Sequence, residues 1–200
     1  YIEQYVQTLT HELKSPLAGI RAASELLQTP MNEKQRHKFL TNIDSESLRL
    51  QQLIERLLNL ALVEQQQSLQ APQKISLKPL IDALVDTRSA RIIRQQIQLQ
   101  ITVDDAAEIY GEKFLIEQAV LNLLDNALDF TPDACRIELR TQATDKGWNL
   151  SVTNEGEQVP DFAMPRLTER FFSLPRPNTG RKSTGLGLSF VQEVMTLHQG

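Results

Sequence analysis

Four short stretches hold residue types whose spacing suits chemistry on a phosphate. In Leu9-Thr-His-Glu-Leu-Lys-Ser-Pro-Leu17, His11 falls off the line of apolar residues, so its imidazole is expected to face solvent. An exposed neutral imidazole is a competent nucleophile near pH 7, its unperturbed pKa being about 6.5. Glu12 stands beside it to accept the Nδ1 proton, which leaves Nε2 free to attack. Ser15, four residues on, shares the helical face of His11. Pro16 removes a backbone hydrogen bond about one turn later and permits a bend. In the second stretch Asn122 and Asn126 stand at i and i+4, with Asp125 and Asp129 beside them. Their carboxamides can present oxygens to Mg²⁺ and donors to phosphates. The third, Asn154-Glu-Gly-Glu-Gln-Val-Pro160, offers at Asn154 both an acceptor and donors to a purine edge, and at Gly156 close approach or a positive φ. In the fourth, Ser183-Thr-Gly-Leu-Gly-Leu188, Gly185 and Gly187 let backbone N–H groups approach an anion at a helix start. Each stretch alone is an ordinary surface helix face, strand exit or helix entry. The fourth lacks the Gly-Lys-Ser/Thr order of a Walker loop.

The elements that must position these residues emerge from periodicity. Ile2, Val6, Leu9, Leu13, Pro16, Ile20, Ala23 and Leu27 recur at alternating intervals of four and three, the seam of a bundle helix. Pro30 disfavours helix at the residue before it, and Asn32 can cap a second helix. A second seam runs through Leu40, Ile43, Ser47, Leu50, Ile54, Leu57 and Ala61, widened by Leu53 and Leu60. Two helices of unequal length cannot bury such faces on each other, so a homodimeric four-helix bundle is expected; the alternative is a monomeric hairpin packed on the rest of the chain. Residues 65–73 lose the seam and end near Pro72 as a linker. Beyond it Leu80, Leu84 and Val85 sit in a helix, and Ile97, Leu99, Ile101 and Val103 alternate as in a half-buried strand. Helical spacing returns over 112–130, its apolar stripe made of Ile116, Val120, Leu123 and Ala127. Residues 136–141 and 148–153 alternate again around Asp145-Lys146-Gly147, a hairpin signal. Residues 155–184 have little periodicity, which suits a functional lid, and helix resumes over 186–198.

Composition narrows the field. Lys+Arg 21 against Asp+Glu 25 leaves a net charge of −4, with no basic footprint for nucleic acid or for general membrane adhesion. No apolar run approaches the roughly 20 residues that span a bilayer. The single cysteine, Cys135, rules out an internal disulfide and a multi-cysteine zinc site. The opening on Tyr1, without a signal peptide, suggests a piece of a longer protein.

Taken in order, the four stretches resemble the sensor histidine kinases of two-component signalling, most of all the CreC-type sensor kinases. His11-Glu-Leu-Lys-Ser-Pro-Leu17 is similar to their H box and Asn122-Leu-Leu-Asp-Asn-Ala127 to their N box. Residues 154–160 resemble the first glycine box, Glu169-Arg-Phe-Phe172 the phenylalanine box and residues 184–188 the second glycine box. The resemblance implies an α-helical hairpin, forming a dimeric four-helix bundle, over 1–66 and a linker over 67–74. It implies an α+β two-layer sandwich of the GHKL ATPase type over 75–200, lacking its last two strands. It implies that His11 accepts a phosphoryl group from ATP, with Glu12 as base, and that Ser15 positions water for dephosphorylating the partner. By the same likeness Asn126 ligates Mg²⁺, Asn122 supports the phosphates and Asn154 recognises adenine. Gly156, Thr184, Gly185, Leu186, Gly187 and Leu188 complete the nucleotide site, and Arg170 or Arg176 supplies its cation. The implied partners are a second copy of the chain and a response-regulator receiver domain, with a membrane anchor upstream and the present segment on the cytoplasmic side. The alternative is a degenerate kinase that dimerises as a scaffold without turnover.

Departures from the family pattern mark where that site is unusual. Asn154 stands for the usual Asp, Gln158 for a Gly, Thr168 for an aromatic and Ser183 for a Gly. Ser173 stands where some relatives place an Arg. Asp129 occupies a position that is often basic, and its charge repels ATP unless Mg²⁺, Lys or Arg offsets it. Together these departures imply modest nucleotide affinity.

Overall fold

The computed structural model describes residues 2–145, 147–177, 180 and 183–200, with side chains from residue 7 onward. Ile2 and Val6 of the first seam and Lys146 of the hairpin signal therefore lie outside the described side chains. The chain divides into two compact units, Tyr1–Ala61 and Leu62–Gly200.

In the first unit, α1 (Ile2–Leu27) and α2 (Glu33–Gln65) form an antiparallel hairpin, the last turn of α2 from Leu62 onward belonging to the second unit. Glu12 meets Arg49 and Gly19 lies against Glu46, which fixes the antiparallel order. The break at Pro30 falls where the sequence puts it. Asn32 then starts α2 through a reciprocal capping box: its Oδ1 accepts the Gln35 N–H at 2.9 Å, and Gln35 Oε1 accepts the Asn32 N–H at 3.3 Å. Pro16 is buried inside α1, which continues through it as helix. Leu53 and Leu60, read as widening the second seam, are each only 2% exposed, while Leu40 and Ile54 of the seam itself stay exposed. Leu17, Leu26, Leu48 and Leu58 are exposed too. One hairpin covers only a stripe of each helix, and the remaining apolar positions are left open.

The second unit is a two-layer α/β arrangement. It contains β1 (Gln73–Ser76), α3 (Leu77–Asp86), α4 (Ser89–Arg94), β2 (Gln98–Thr102), β3 (Glu108–Gly111), α5 (Lys113–Phe130), β4 (Arg136–Thr144), β5 (Gly147–Asn154), a 3₁₀ turn (Met164–Arg166) and α6 (Gly187–Leu197). The order β2-β4-β5 builds a mixed sheet, β2 parallel and β5 antiparallel to β4, and β1 pairs antiparallel with β3 in a separate ribbon. The sequence pattern predicts one sheet and contains neither β1 nor β3, and β1 takes Gln73 and Lys74 from the stretch read as linker. Ile137, Leu139 and Thr141 of β4 are buried, and α5 packs on β5, α3 and α6. The buried stripe of α5 includes Leu115, Ile116, Ala119, Val120, Leu124, Ala127 and Leu128. Leu124 replaces the expected Leu123, which is only half-buried. Among the described residues no helix is long and apolar enough to cross a membrane.

Candidate nucleotide and phosphoacceptor sites

His11 lies on α1 with its side chain exposed, as does Ser15 one turn on. Glu12 is half-buried, and its carboxylate lies 3.8 Å from Arg49 Nη2 on α2. Arg49 is also 3.8 Å from Glu46, so one guanidinium sits between two carboxylates, one of them on the residue after His11.

In the second unit, the face of α5 opposite its buried stripe gathers the predicted residues. Positions 122, 126 and 129 are separated by four and three and line one side of the helix. Asn122 donates from Nδ2 to the Gln118 carbonyl at 2.9 Å, which turns its Oδ1 outward. A Cβ on Gly187 would lie 3.1 Å from that oxygen, so α6 begins against the carboxamide and only a small residue fits comfortably. This brings the start of α6, with its unpaired N–H groups, to the polar face of α5. Asn126 is half-buried, and none of the described residues hydrogen-bonds its carboxamide.

Strand register places Asn154. In β5, Trp148, Leu150 and Val152 share a face, and Asn154 ends that row opposite Ile137. A Cβ on Gly156 would fall 2.5 Å from the Phe130 carbonyl oxygen and 3.2 Å from Asn154 Nδ2, so the strand exit is pressed against the end of α5. The remaining loop is fastened to the start of α6. Gly185 has φ +64°, and its carbonyl accepts the Phe171 N–H at 2.9 Å. Phe171 itself sits at φ +62°, a left-handed conformation costing about 1–2 kcal/mol for a residue with a Cβ. Such strain persists only where surrounding contacts enforce it. Arg166 stacks over the Phe172 ring, 4.3 Å from its centroid, and bonds Glu169 at 2.8 Å. Ser173 and Ser183, two of the departures, pair with each other: their hydroxyls are 2.7 Å apart, and the Ser183 N–H donates to Ser173 Oγ at 3.0 Å. Thr184 and Leu188 are half-buried and Leu186 is buried.

The two candidate cations separate. Arg176 pairs with Asp129, whose other oxygen takes Arg91 Nη2 at 2.7 Å. The acid that the sequence makes a liability for an anionic ligand is thus neutralised by two arginines. One turn earlier Asp125 takes Arg88 through two bonds of 2.7 and 3.0 Å, and this bidentate pair holds the Arg88 guanidinium more firmly protonated than usual. Arg170 instead pairs with Glu64 in the last turn of α2. Sequence reasoning finds neither Arg88 nor Arg91, nor Glu64. Glu112, also missed, takes the Gln66 amide at 2.7 Å and the Gln70 N–H on one carboxylate oxygen.

Burial holds the Glu64 carboxyl above the usual carboxylate range; Arg170 opposes that rise and Glu193 adds to it. A carboxyl raised by folding stabilises the fold fully below its unfolded pKa, and that contribution is lost as pH rises through the folded value. Arg170→Gln removes the opposing cation, so Glu64 is expected to titrate at still higher pH and the loss to move with it. Carboxyl carbon-13 NMR reads this directly; a Glu64 titration that stays put or falls contradicts the pair.

Among the described residues no group of three or more His, Cys, Asp or Glu side chains could hold a metal. A metal that keeps most of its coordination to substrate phosphates needs only one or two protein oxygens. The free carboxamide of Asn126 fits that requirement.

Two family models match the chain in sequence order. Residues 1–66 match the His Kinase A (phospho-acceptor) domain, and residues 111–200 match the histidine kinase-, DNA gyrase B- and HSP90-like ATPase. The sensor protein CreC of Escherichia coli (strain K12) is 42% identical over 200 residues, covering 100% of this chain and 42% of CreC. The chain thus spans about two fifths of that relative. The Acinetobacter baumannii histidine kinase AdeS superposes with a TM-score of 0.72 at 20% identity, over 94% of this chain and 86% of AdeS. Histidine kinase ThkA, solved in complex with the response regulator TrrA, gives 0.71 at 19% identity, over 85% of this chain and 50% of that one. With a phosphoacceptor hairpin and an ATPase-type module matched in that order, the chain belongs to the sensor histidine kinases.

Proposed function

We propose that this chain is a histidine kinase core that autophosphorylates His11 from Mg-ATP and passes the phosphoryl group to an Asp of a response-regulator receiver domain. The observation that carries the reading is the seating of Gly187, at the start of α6, on Asn122 of α5. It sets a helix N-terminus against one carboxamide, one turn before Asn126 on the same helix, in a chain that also carries an exposed imidazole. Bound Mg-ATP supplies the γ-phosphoryl group and the metal charge that screens it. Asn126 offers its carboxamide oxygen to the metal, and Asn122 and the α6 N–H groups meet the phosphates. Asn154 meets the adenine amino group with one acceptor and no charge. Gly156, Gly185 and Gly187 let the strand exit, the phenylalanine loop and the start of α6 pack closely around the site, flanked by Thr184, Leu186 and Leu188. Arg176, rather than Arg170, is the cation of this site.

In the transfer, His11 Nε2 forms the new N–P bond as the bridging P–O bond breaks and ADP leaves. The proton on Nδ1 is held by Glu12 once its carboxylate swings from Arg49. Positioning and charge neutralisation do most of the work. Ser15 orients water for the reverse task, removing the phosphoryl group from the regulator. ThkA, solved with its regulator, lends support to the choice of partner. The exposed leucines of α1 and α2 support a homodimer through the hairpin, with domains at 1–66 and 75–200 joined by 67–74. In the whole protein, membrane attachment lies in segments upstream and this portion is cytoplasmic. The test is labelling with γ-phosphate-labelled ATP. The expected label is acid-labile and base-stable, and it is lost in His11→Gln. Undiminished labelling of that variant refutes the assignment.

A further inference from the structure

Asp129 is the residue on the polar face of α5 whose sign is wrong for a phosphate site, yet it is placed with care. Its side chain is only 13% exposed, it lies one turn beyond Asn126, and it binds two guanidiniums at once. Arg91 is held independently, donating from Nε to Gln95 Oε1 at 3.0 Å. Arg176 is held differently. Its Nη2 is on Asp129, while its Nε is buried and has no hydrogen-bond partner among the described residues. A buried, unpaired guanidinium donor is costly and rare, because such groups otherwise find an acceptor. An anionic oxygen of a ligand is the acceptor that this charge favours.

Resting on the function proposed above, we infer that Asp129 is a positioning residue for the polyphosphate of the nucleotide: it fixes Arg176 so that the unpaired Nε receives a phosphate oxygen while Nη2 stays on Asp129. The arrangement carries two positive charges against one negative, so the cluster keeps a net +1 although its central residue is an acid. Arg91 matters because it neutralises Asp129 from the opposite side; without it the acid would cancel Arg176. The acid therefore works as a bracket that orients one cation and is itself neutralised by another.

This makes a prediction opposite to simple electrostatics. If Asp129 only repelled nucleotide, Asp129→Asn would tighten ATP binding. As a positioning residue, its loss weakens ATP by about tenfold, the equivalent of one charge-assisted hydrogen bond made poorly. Calorimetric titration of the 200-residue chain with Mg-ATP and with adenosine separates the two ends of the ligand. Asp129→Asn is expected to weaken ATP and to leave adenosine within about twofold, since adenosine reaches no phosphate donor. Arg176→Gln should do the same. The double variant should be no weaker than Arg176→Gln alone, because Asp129 acts through Arg176. Asp129→Glu, which keeps the charge, should recover most of the affinity. Without nucleotide, inorganic tripolyphosphate should raise the melting temperature of the wild-type chain more than that of either single variant.

Tighter or unchanged ATP binding by Asp129→Asn, or additive losses in the double variant, overturns the inference and leaves the kinase reading intact. A wild-type chain that binds neither ATP nor adenosine overturns the kinase reading itself. If Asp129→Asn does not fold, Arg176→Gln and Asp129→Glu still decide: equal losses for ATP and adenosine in Arg176→Gln, or no recovery in Asp129→Glu, count against it.

Discussion

Asn126→Ala is expected to remove phosphorylation of His11 while leaving the second unit at least as stable as before. The carboxamide sits half-buried on α5 with no hydrogen bond from any described residue, so the fold loses no partner when it goes. Alanine is also the better helix former, by about 0.5 kcal/mol over asparagine in a helix interior. Function is affected in the opposite direction. Changing an outer-shell partner of a bound metal costs about 10–100-fold, so losing the oxygen proposed to ligate the metal should cost at least about 100-fold in labelling rate. The measurement pairs a thermal melt with labelling. A variant that melts unchanged and still labels removes Asn126 from the site; one that unfolds makes it a structural residue instead.

The second large effect falls on the start of α6. Gly185→Ala should destabilise the second unit by about 2–5 kcal/mol, combining the left-handed penalty with overpacking. Gly185 has φ +64°, and an added Cβ would lie 2.5 Å from the Phe171 carbonyl carbon and 2.6 Å from the Phe172 carbonyl oxygen. Those are backbone atoms, which cannot swing aside as a side-chain tip can. Gly180 is the control. It also has φ +64°, but nothing lies within 4 Å of its virtual Cβ. Gly180→Ala should therefore cost only about 1–2 kcal/mol, the conformational penalty alone. Urea unfolding followed at Trp148 compares the two. Equal costs would mean that the phenylalanine loop yields, and that its closure over Gly185 does not determine the geometry of the α6 start.

Much of this was legible in the sequence because the signals are local. The alternating three-and-four spacing marks α1 and α2, Asn32 and Gln35 sit close enough to cap each other, and the alternation on either side of Asp145 gives β4 and β5. The order of the four chemical stretches identifies the family before any coordinate is seen. What escaped is short or distant. Strands β1 and β3 have four residues each and α4 has six, too few for a period to declare itself. The clips onto α5 join Arg88 to Asp125 and Arg91 to Asp129, residues 37 and 38 apart. Nothing in the local pattern says which of many charges will meet. The same limit explains Asp129: sequence reads its sign, whereas its partners are set by the packing of α4 and of the loop that carries Arg176. Ser173 and Ser183 teach a parallel lesson, since two changes that look like separate losses are one hydrogen-bonded pair.

His198 has a different fate from the other two histidines. A Cβ on Gly111 would lie 2.5 Å from its ring, so β3 passes directly beneath the imidazole. Nε2 accepts the Glu112 N–H at 3.0 Å, which fixes the proton on Nδ1, and Nδ1 in turn donates to the Val194 carbonyl at 2.7 Å. Both nitrogens are spoken for. Of the three histidines in the chain, only His11 and His37 therefore present reactive rings to an electrophile, and an acylating reagent should mark those two and spare the third. Any phosphoramidate formed on the folded protein then has two addresses, and peptide mapping need only tell the first helix from the second.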